Sequence, residues 1–205
     1  MNDNRRFAPA AARNREPIFD VLVRFVRKGD HVLEIASGSG EHAVYLSQRL
    51  PVASFQPTDP DAASRASIDA WAAHEGADRV RPALALDVTQ QPWPVDRADV
   101  VLCINMIHIA PWEACLGLLD GAAKILGGGI LALYGPYRRG GAHTAPSNAA
   151  FDESLRSRNP AWGVRDLETV VHEAAARGFT LEEVAEMPAN NLTVVFRHAE
   201  QAPPP

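Results

Sequence analysis

Residues 31–42, HVLEIASGSGEH, decide how the rest of this 205-residue chain is read. Val32, Leu33 and Ile35 form a short apolar run broken only by Glu34, the pattern of a buried parallel strand over His31–Ala36. Ser37-Gly38-Ser39-Gly40 follows, and its two glycines permit a sharp turn with bare backbone for a ligand to lie against. Glu41–Leu50 then reads as a helix, with Ala43, Val44, Leu46 and Leu50 apolar. Strand, glycine turn and helix N-terminus make a nucleotide-type binding edge.

Two ligand patterns fit this edge. Gly38-Ser39-Gly40-Glu41-His42-Ala43 satisfies the dinucleotide form G-x-G-x-x-A, and Asp59 stands where an acid would hold ribose hydroxyls. The same stretch fits an S-adenosylmethionine pattern, an acid inside the strand followed by glycines, with Glu34 as the acid. The motif alone leaves both open.

Working outward, Met1–Pro9 is polar, and Pro17 is predicted to open a helix carrying Ile18, Leu22, Phe25 and Val26, ended by Gly29. Arg13 and Asn14 fall in the leader before it. Ala53–Thr58 is a second short strand ending in Asp59-Pro60-Asp61, and Asp61 can cap a helix over Ala62–Gly76. Val80–Leu86 is a third strand with Asp87 at its end. Ala98–Asn105 is the most hydrophobic strand and belongs at the centre of the sheet. A helix over Trp112–Leu126, closed by Gly127-Gly128-Gly129, leads to a fifth strand at Ile130–Leu133. Residues 138–163 are irregular in composition, with a short helix possible at Asn148–Arg156, and read as a lid-like insertion. A helix over Asp166–Gly178 and strands at Phe179–Met187 and Leu192–Arg197, joined as a hairpin, complete the chain.

One domain over residues 1–205 is expected, with flexible ends at 1–7 and 199–205. The formal charge of −5 argues against a nucleic-acid surface. Val100–Ala110, the longest apolar stretch, is too short to span a bilayer, and the N-terminus has no signal-peptide core, so a cytoplasmic location is expected. Cys103 and Cys115 read as small buried hydrophobes. His42, His108 and His143 match no metal-ligand spacing, and no metal is expected.

Element order decides between the ligands. Strands alternating with helices and ending in a hairpin suit the Rossmann-like α/β fold of class I methyltransferases: seven strands, mostly parallel, a C-terminal antiparallel hairpin, helices on both faces. Asp59, Asp87 and Asn105 punctuate strand ends, where open α/β sheets bind ligands. Asp59 can accept from ribose hydroxyls and Asp87 from an adenine amino group. Surplus carboxylates near the turn would repel a pyrophosphate, so S-adenosylmethionine is favoured over NAD.

The strings RNREPI, LEIASGSGEHA, FQPTDPD, INMIHIAPWEA, YGPY, SNAAFDESL, RDLE and MPANNLTVVF, spread over Phe7–His198, resemble the methyltransferase-like 26 family. The resemblance implies a class I fold and S-adenosylmethionine as cofactor; it names no methyl acceptor. The chain departs from the general methyltransferase pattern at Ala36, where glycine is common, and a strand end is not expected to need positive φ there. The cofactor set on this reading is Arg13, Asn14, Glu34, Ala36, Ser37, Gly38, Gly40, His42, Asp59, Pro60, Asp87, Val88, Asn105, Met106 and Ile107. Arg13 would grip the methionine carboxylate.

His108, three residues past Asn105, is placed to act as a base, and equally to cap the following helix. Tyr134 and Tyr137, past the fifth strand, would orient an acceptor or wall the pocket. Asn148, Phe151, Asp152, Arg165, Asn190 and Asn191 are the candidate acceptor contacts. Asn-Met-Ile-His after the fourth strand is not the Asn-Pro-Pro-aromatic string of enzymes that methylate nucleobase amino groups. A small-molecule methyltransferase is therefore expected. A non-catalytic binder of the cofactor or its product, and an NAD-dependent oxidoreductase, are the alternatives.

Overall fold

A computed structural model describes residues 3–200; the remaining expected loose ends lie outside the described residues. Helix α1 (Pro9–Leu22), strand β1 (His31–Ile35), α2 (Glu41–Arg49), β2 (Ser54–Pro57) and α3 (Ala62–Glu75) come first. Strand β3 (Ala98–Ile104), a 3₁₀ turn (Met106–His108), α4 (Trp112–Ile125) and β4 (Leu126–Gly135) follow. The insertion contributes β5 (Tyr137–Arg139), β6 (Ala142–His143) and α5 (Pro146–Arg158). Strand β7 (Arg165–Asp166), α6 (Leu167–Ala175), β8 (Phe179–Met187), a second 3₁₀ turn (Pro188–Asn190) and β9 (Asn191–His198) end the chain.

The main sheet has the order β2-β1-β3-β4-β9-β8. Strands β2, β1, β3 and β4 run parallel, and β9 is antiparallel to both β4 and β8. The terminal hairpin thus folds its last strand inward rather than adding it at the edge. Side chains alternate between faces. Leu33 and Ile35 of β1 join Val101, Cys103, Leu131 and Leu133 under α4 and α6. Val32 joins Val100, Leu102, Ile130 and Ala132 under α1 and α2. The fold is the α/β class I methyltransferase architecture expected.

Four expectations need correction. The main sheet has six strands, not seven: residues 80–86 make only two isolated bridges, Phe55 to Val80 and Thr58 to Leu84. Pro82 has no N–H to donate, which prevents a regular ladder there. Helix α1 begins at Pro9 and holds Pro17 inside it, so Arg13 and Asn14 are helical. Proline is tolerated mid-helix here at the loss of one backbone bond, and Ile18, Val21 and Leu22 pack into the core beyond it. The three glycines after α4 do not close it; β4 starts at once, and Gly129 lies so close to the Asp99 carbonyl that a side chain would not fit. The short helix expected at Asn148–Arg156 is present as α5, but the stretch before it, read as irregular, forms with β7 a small sheet of order β6-β5-β7.

Residues 3–8 run along α3. The Arg6 N–H donates to Ser67 Oγ (2.8 Å), Trp71 Nε1 donates to the Arg6 carbonyl (2.8 Å), and Phe7 meets Trp71 edge-on. Asp61 caps α3 through the Ala63 and Ser64 N–H groups, as expected.

The turn after β1 is left-handed at three positions: Ala36 (φ 54°), Gly38 (φ 59°) and Gly40 (φ 93°). The reading of Ala36 as an ordinary strand end is therefore wrong; its Cβ meets the following carbonyl at a cost of roughly 1–2 kcal/mol. A Cβ at Gly40 would lie 2.6 Å from Ile68 Cα, whereas one at Gly38 meets nothing within 4 Å. Gly38→Ala should cost about 1–2 kcal/mol of stability in urea unfolding, the backbone penalty alone. Gly40→Ala should cost roughly 1–3 kcal/mol more, because α3 must move.

Candidate functional site

The glycine turn is held by its own neighbours. The Ser37 N–H donates to the Thr58 carbonyl (2.9 Å), and Ser37 Oγ accepts from the Thr58 N–H (3.2 Å). Thr58 Oγ1 donates to the Glu34 carbonyl (2.8 Å). Asp59 accepts from the Gly38 N–H through Oδ2 (3.0 Å) and from the Asp61 N–H through Oδ1 (2.9 Å). The Gly40 N–H donates to the Ser37 carbonyl (3.1 Å). Glu41 accepts from Ser39 Oγ (2.9 Å) and the Ala8 N–H (2.7 Å) at the start of α2. Three of the turn's amides are thus already engaged, that of Gly38 by an acid and those of Ser37 and Gly40 by backbone carbonyls.

Glu34 is buried on the α1 face of the sheet, and its Oε2 has no hydrogen-bond partner among the described residues. Burial pushes its carboxyl up to about 8 from an ordinary 4.5, against the Ser37 hydrogen bond and helped by the Asp59 charge. Burial also raises Asp59. On the same face, Tyr134 pairs across β4 and β9 with Thr193, whose buried Oγ1 also lacks a partner.

Helix α1 covers this end of the sheet. Buried Asn14 accepts from His42 Nε2 (2.8 Å) and hydrogen-bonds the Tyr134 hydroxyl. Burial, with the Arg15 charge, holds His42 down to about 4, so the ring is neutral and its Nε2 proton orients the Asn14 amide. Arg13 is exposed beside Tyr134, whose hydroxyl feels its charge, and forms no ion pair among the described residues. Sequence reasoning named Asn14, His42 and Tyr134 separately; that they form one chain depends on α1 starting at Pro9.

An opening of about 420 Å³ lies past the ends of β3 and β4. It is lined by Asn105, Ile109, Pro136, Ser147, Asn148, Phe151, Ala189 and Asn191. Asn105 closes β3 in the left-handed conformation (φ 64°), with its N–H donating to the Tyr134 carbonyl (2.8 Å). Asn148 Nδ2 donates to the Asn190 carbonyl (2.9 Å) and Asn190 Nδ2 to Ser147 Oγ (3.2 Å), tying α5 to the hairpin turn. The structure brings the expected Asn148, Phe151, Asn190 and Asn191 together. Ile109, Pro136, Ser147 and Ala189 were missed. All four lie inside the strings that carry the family resemblance, but nothing in those strings marks them as facing a pocket.

Several expected site residues sit elsewhere. His108 is fully buried; its Nδ1 accepts from the Arg165 N–H (3.3 Å) and its Nε2 has no partner, facing the Gly135 backbone. Burial, with the Arg165 charge, holds it down to about 3, so it is a neutral packing group where a base was expected, and it does not cap α4 either, the other role the sequence left open. Tyr137 is fully buried against it, edge-on at 5.0 Å, and is neither a wall nor an acceptor contact. Val88, Met106 and Ile107 turn into the core beneath α4. Arg165 is committed to the carbonyls of Ile107 (2.8 Å), Ala110 (2.6 Å) and Ala161 (3.0 Å). Asp152 holds the Val164 N–H (2.6 Å) and Arg156 Nε (3.0 Å). Asp87 Oδ1 accepts from the Thr89 N–H (2.9 Å), and the Asp59 and Pro60 carbonyls take Arg65 Nη1.

The family model described as "Protein of unknown function (DUF938)" matches residues 5–198. The chain belongs to this family. Its architecture is shared with solved structures of low identity. One is the pyocyanin biosynthetic protein PhzM, with TM-score 0.72 and 21% identity over 94% of this chain and 59% of that one. An O-methyltransferase family protein from Burkholderia thailandensis gives TM-score 0.80 and 16% identity over 94% and 58%. The S-adenosylmethionine-dependent methyltransferase SibL gives 0.74 and 20% over 93% and 56%. The DUF938 chain thus spans under three fifths of each of these three proteins. Among its described residues no helix is long and apolar enough to cross a membrane, and no cluster of three His, Cys, Asp or Glu could hold a metal.

The protonated Glu34 gives a pH signature. The unfolded carboxyl ionises above about 4.5 and the folded one near 8, so its contribution to stability is whole below 4.5 and is lost as pH rises toward 8. Glu34→Gln keeps the shape and removes the titration. The stability difference between variant and wild type should grow in the variant's favour by on the order of 3–5 kcal/mol from pH 4.5 to 8, followed by urea unfolding at each pH. His42 and His108 titrate in both proteins and cancel.

Proposed function

We propose that this protein is an S-adenosylmethionine-dependent methyltransferase acting on a small molecule, and that its resemblance to the methyltransferase-like 26 family is a true relationship. One observation carries the reading. Asp59 takes the Gly38 N–H, the Ser37 carbonyl takes the Gly40 N–H, and the Glu34 carboxyl is buried close by with Oε2 unpartnered among the described residues. Carboxyls this close to the turn repel a pyrophosphate and attract a cation. That fits a ligand with an ammonium group and no phosphates, and weighs against NAD. The shared fold of the O-methyltransferase family protein and of SibL supports it.

On this reading Glu34 meets the amino group and Arg13 the carboxylate of the methionine portion. Asp59 has lone pairs beyond its two backbone contacts for ribose hydroxyls, and Asp87 faces the base. Asn14 and His42 fix the Tyr134 hydroxyl at the same end. Bound, S-adenosylmethionine supplies a methyl group on a sulfonium; the protein's share is to hold the acceptor in line with it. The pocket at Asn105, Asn148 and Phe151 is where the acceptor is held.

Calorimetry with S-adenosylhomocysteine, S-adenosylmethionine and NAD tests the cofactor. The first two should bind and NAD should not; the reverse sinks the proposal. Because Glu34 is protonated when free, binding of either sulfur nucleoside at pH 7 should release about one proton, seen as a dependence of the heat on buffer ionisation. Glu34→Gln should abolish that release. Arg13→Ala should weaken binding by about 1.5–3 kcal/mol, the worth of a charged hydrogen bond, with the melting temperature unchanged.

A further inference from the structure

The pocket assigned to the acceptor restricts what the acceptor can be. Ile109, Pro136, Phe151 and Ala189 form its apolar walls, and the remaining lining is asparagine and serine. No ionisable side chain is among the lining residues. Ile109 and Phe151 keep 42% and 40% of their surface exposed at its mouth, and large apolar groups left open together mark a place for an apolar ligand.

The titratable groups behind the pocket are either buried out of its reach or engaged elsewhere. His108 stands behind the Gly135 backbone, fully buried. Tyr137 is buried against it. Asp152 faces Val164, Arg156 and His143, and Arg165 faces three carbonyls. An alkylammonium entering here finds no carboxylate to pair with, and a carboxylate finds no guanidinium. An alcohol or phenol finds no base to take its proton.

We infer that the acceptor is an uncharged, largely apolar thiol that loses its proton to water and reacts as the thiolate. The inference rests on the methyltransferase reading above. Magnitudes favour it among acceptors that must ionise unaided. At pH 7 a thiol of ordinary pKa is about 3% thiolate, a phenol about 0.1% phenolate, and an alkyl amine about 0.04% free base. The thiolate is also the strongest nucleophile of the three. Its sulfur lone pair forms the new bond to the methyl carbon as the carbon–sulfonium bond breaks, and the electron pair of the broken bond stays on the cofactor's sulfur. The products are a neutral thioether and S-adenosylhomocysteine. The Asn105 amide, at the end of β3, is the neutral donor available to the thiolate.

The test uses the full chain with labelled S-adenosylmethionine and four probes of one shape: benzyl mercaptan, benzyl alcohol, benzylamine and benzoate. Methyl transfer to benzyl mercaptan should exceed that to each of the others at least tenfold. Its rate should rise about tenfold per pH unit and level off at the thiol's own pKa. Replacing it with the more acidic thiophenol should move that plateau down by the difference between the two thiols. Phe151→Ala should raise KM for benzyl mercaptan several-fold and leave S-adenosylhomocysteine affinity unchanged. A preference for the alcohol or amine, or one plateau shared by both thiols, would show a protein base and overturn the inference. Cofactor binding without transfer to either thiol overturns it alone; absence of cofactor binding overturns the methyltransferase reading with it.

Discussion

The structure turns on a loop that satisfies itself. Between β1 and α2 the backbone adopts left-handed angles at Ala36, Gly38 and Gly40, and the N–H groups of Ser37, Gly38 and Gly40 point at Thr58, Asp59 and Ser37. A glycine turn at a helix N-terminus ordinarily offers donors to an anion. Here part of that capacity is taken up by the protein itself, and the buried Glu34 carboxyl stands close by with one oxygen unpartnered among the described residues. Carboxyls beside the turn make it a poor place for a phosphate. A buried polar atom left without a partner costs free energy, and Glu34 carries that cost.

Around that loop the sheet works as a partition. The α4 face is a continuous apolar layer, and every candidate that fell on it, from Val88 through Ile107 to Tyr137, became core. The α1 face carries the polar groups at the carboxyl ends of the strands, and α1 lies across them. The inward placement of β9 brings Thr193 beside Tyr134 and sets the hairpin turn against α5. Beyond Asn105 a neutral, largely apolar opening results, past the end of β3.

Legibility followed the range of the interactions. The strand–turn–helix at residues 31–49, the Asp61 cap and the final hairpin were readable because each is decided within a few residues by alternation, caps and glycine positions. The edge segment at 80–86 failed because Pro82 outweighs its apolar pattern. The start of α1 failed because a proline inside a helix is rare enough to read as a beginning, whereas docking of α1 onto the sheet holds the earlier turns in place. His108 failed for a different reason: the sequence position relative to Asn105 was right, but which way its ring turns depends on Gly135, Tyr137 and Arg165, all distant in the chain.

By itself, then, the sequence determined the α/β class, the glycine turn and the acids at the strand ends, since periodicity and local backbone chemistry are written residue by residue. Tertiary structure alone decided which of those groups are free. A carboxylate, a histidine or an arginine looks the same in a string whether it faces a ligand or a neighbouring carbonyl. Only packing showed Glu34 left without a donor, Asp59 and Arg165 already engaged, and a neutral pocket where a base was expected.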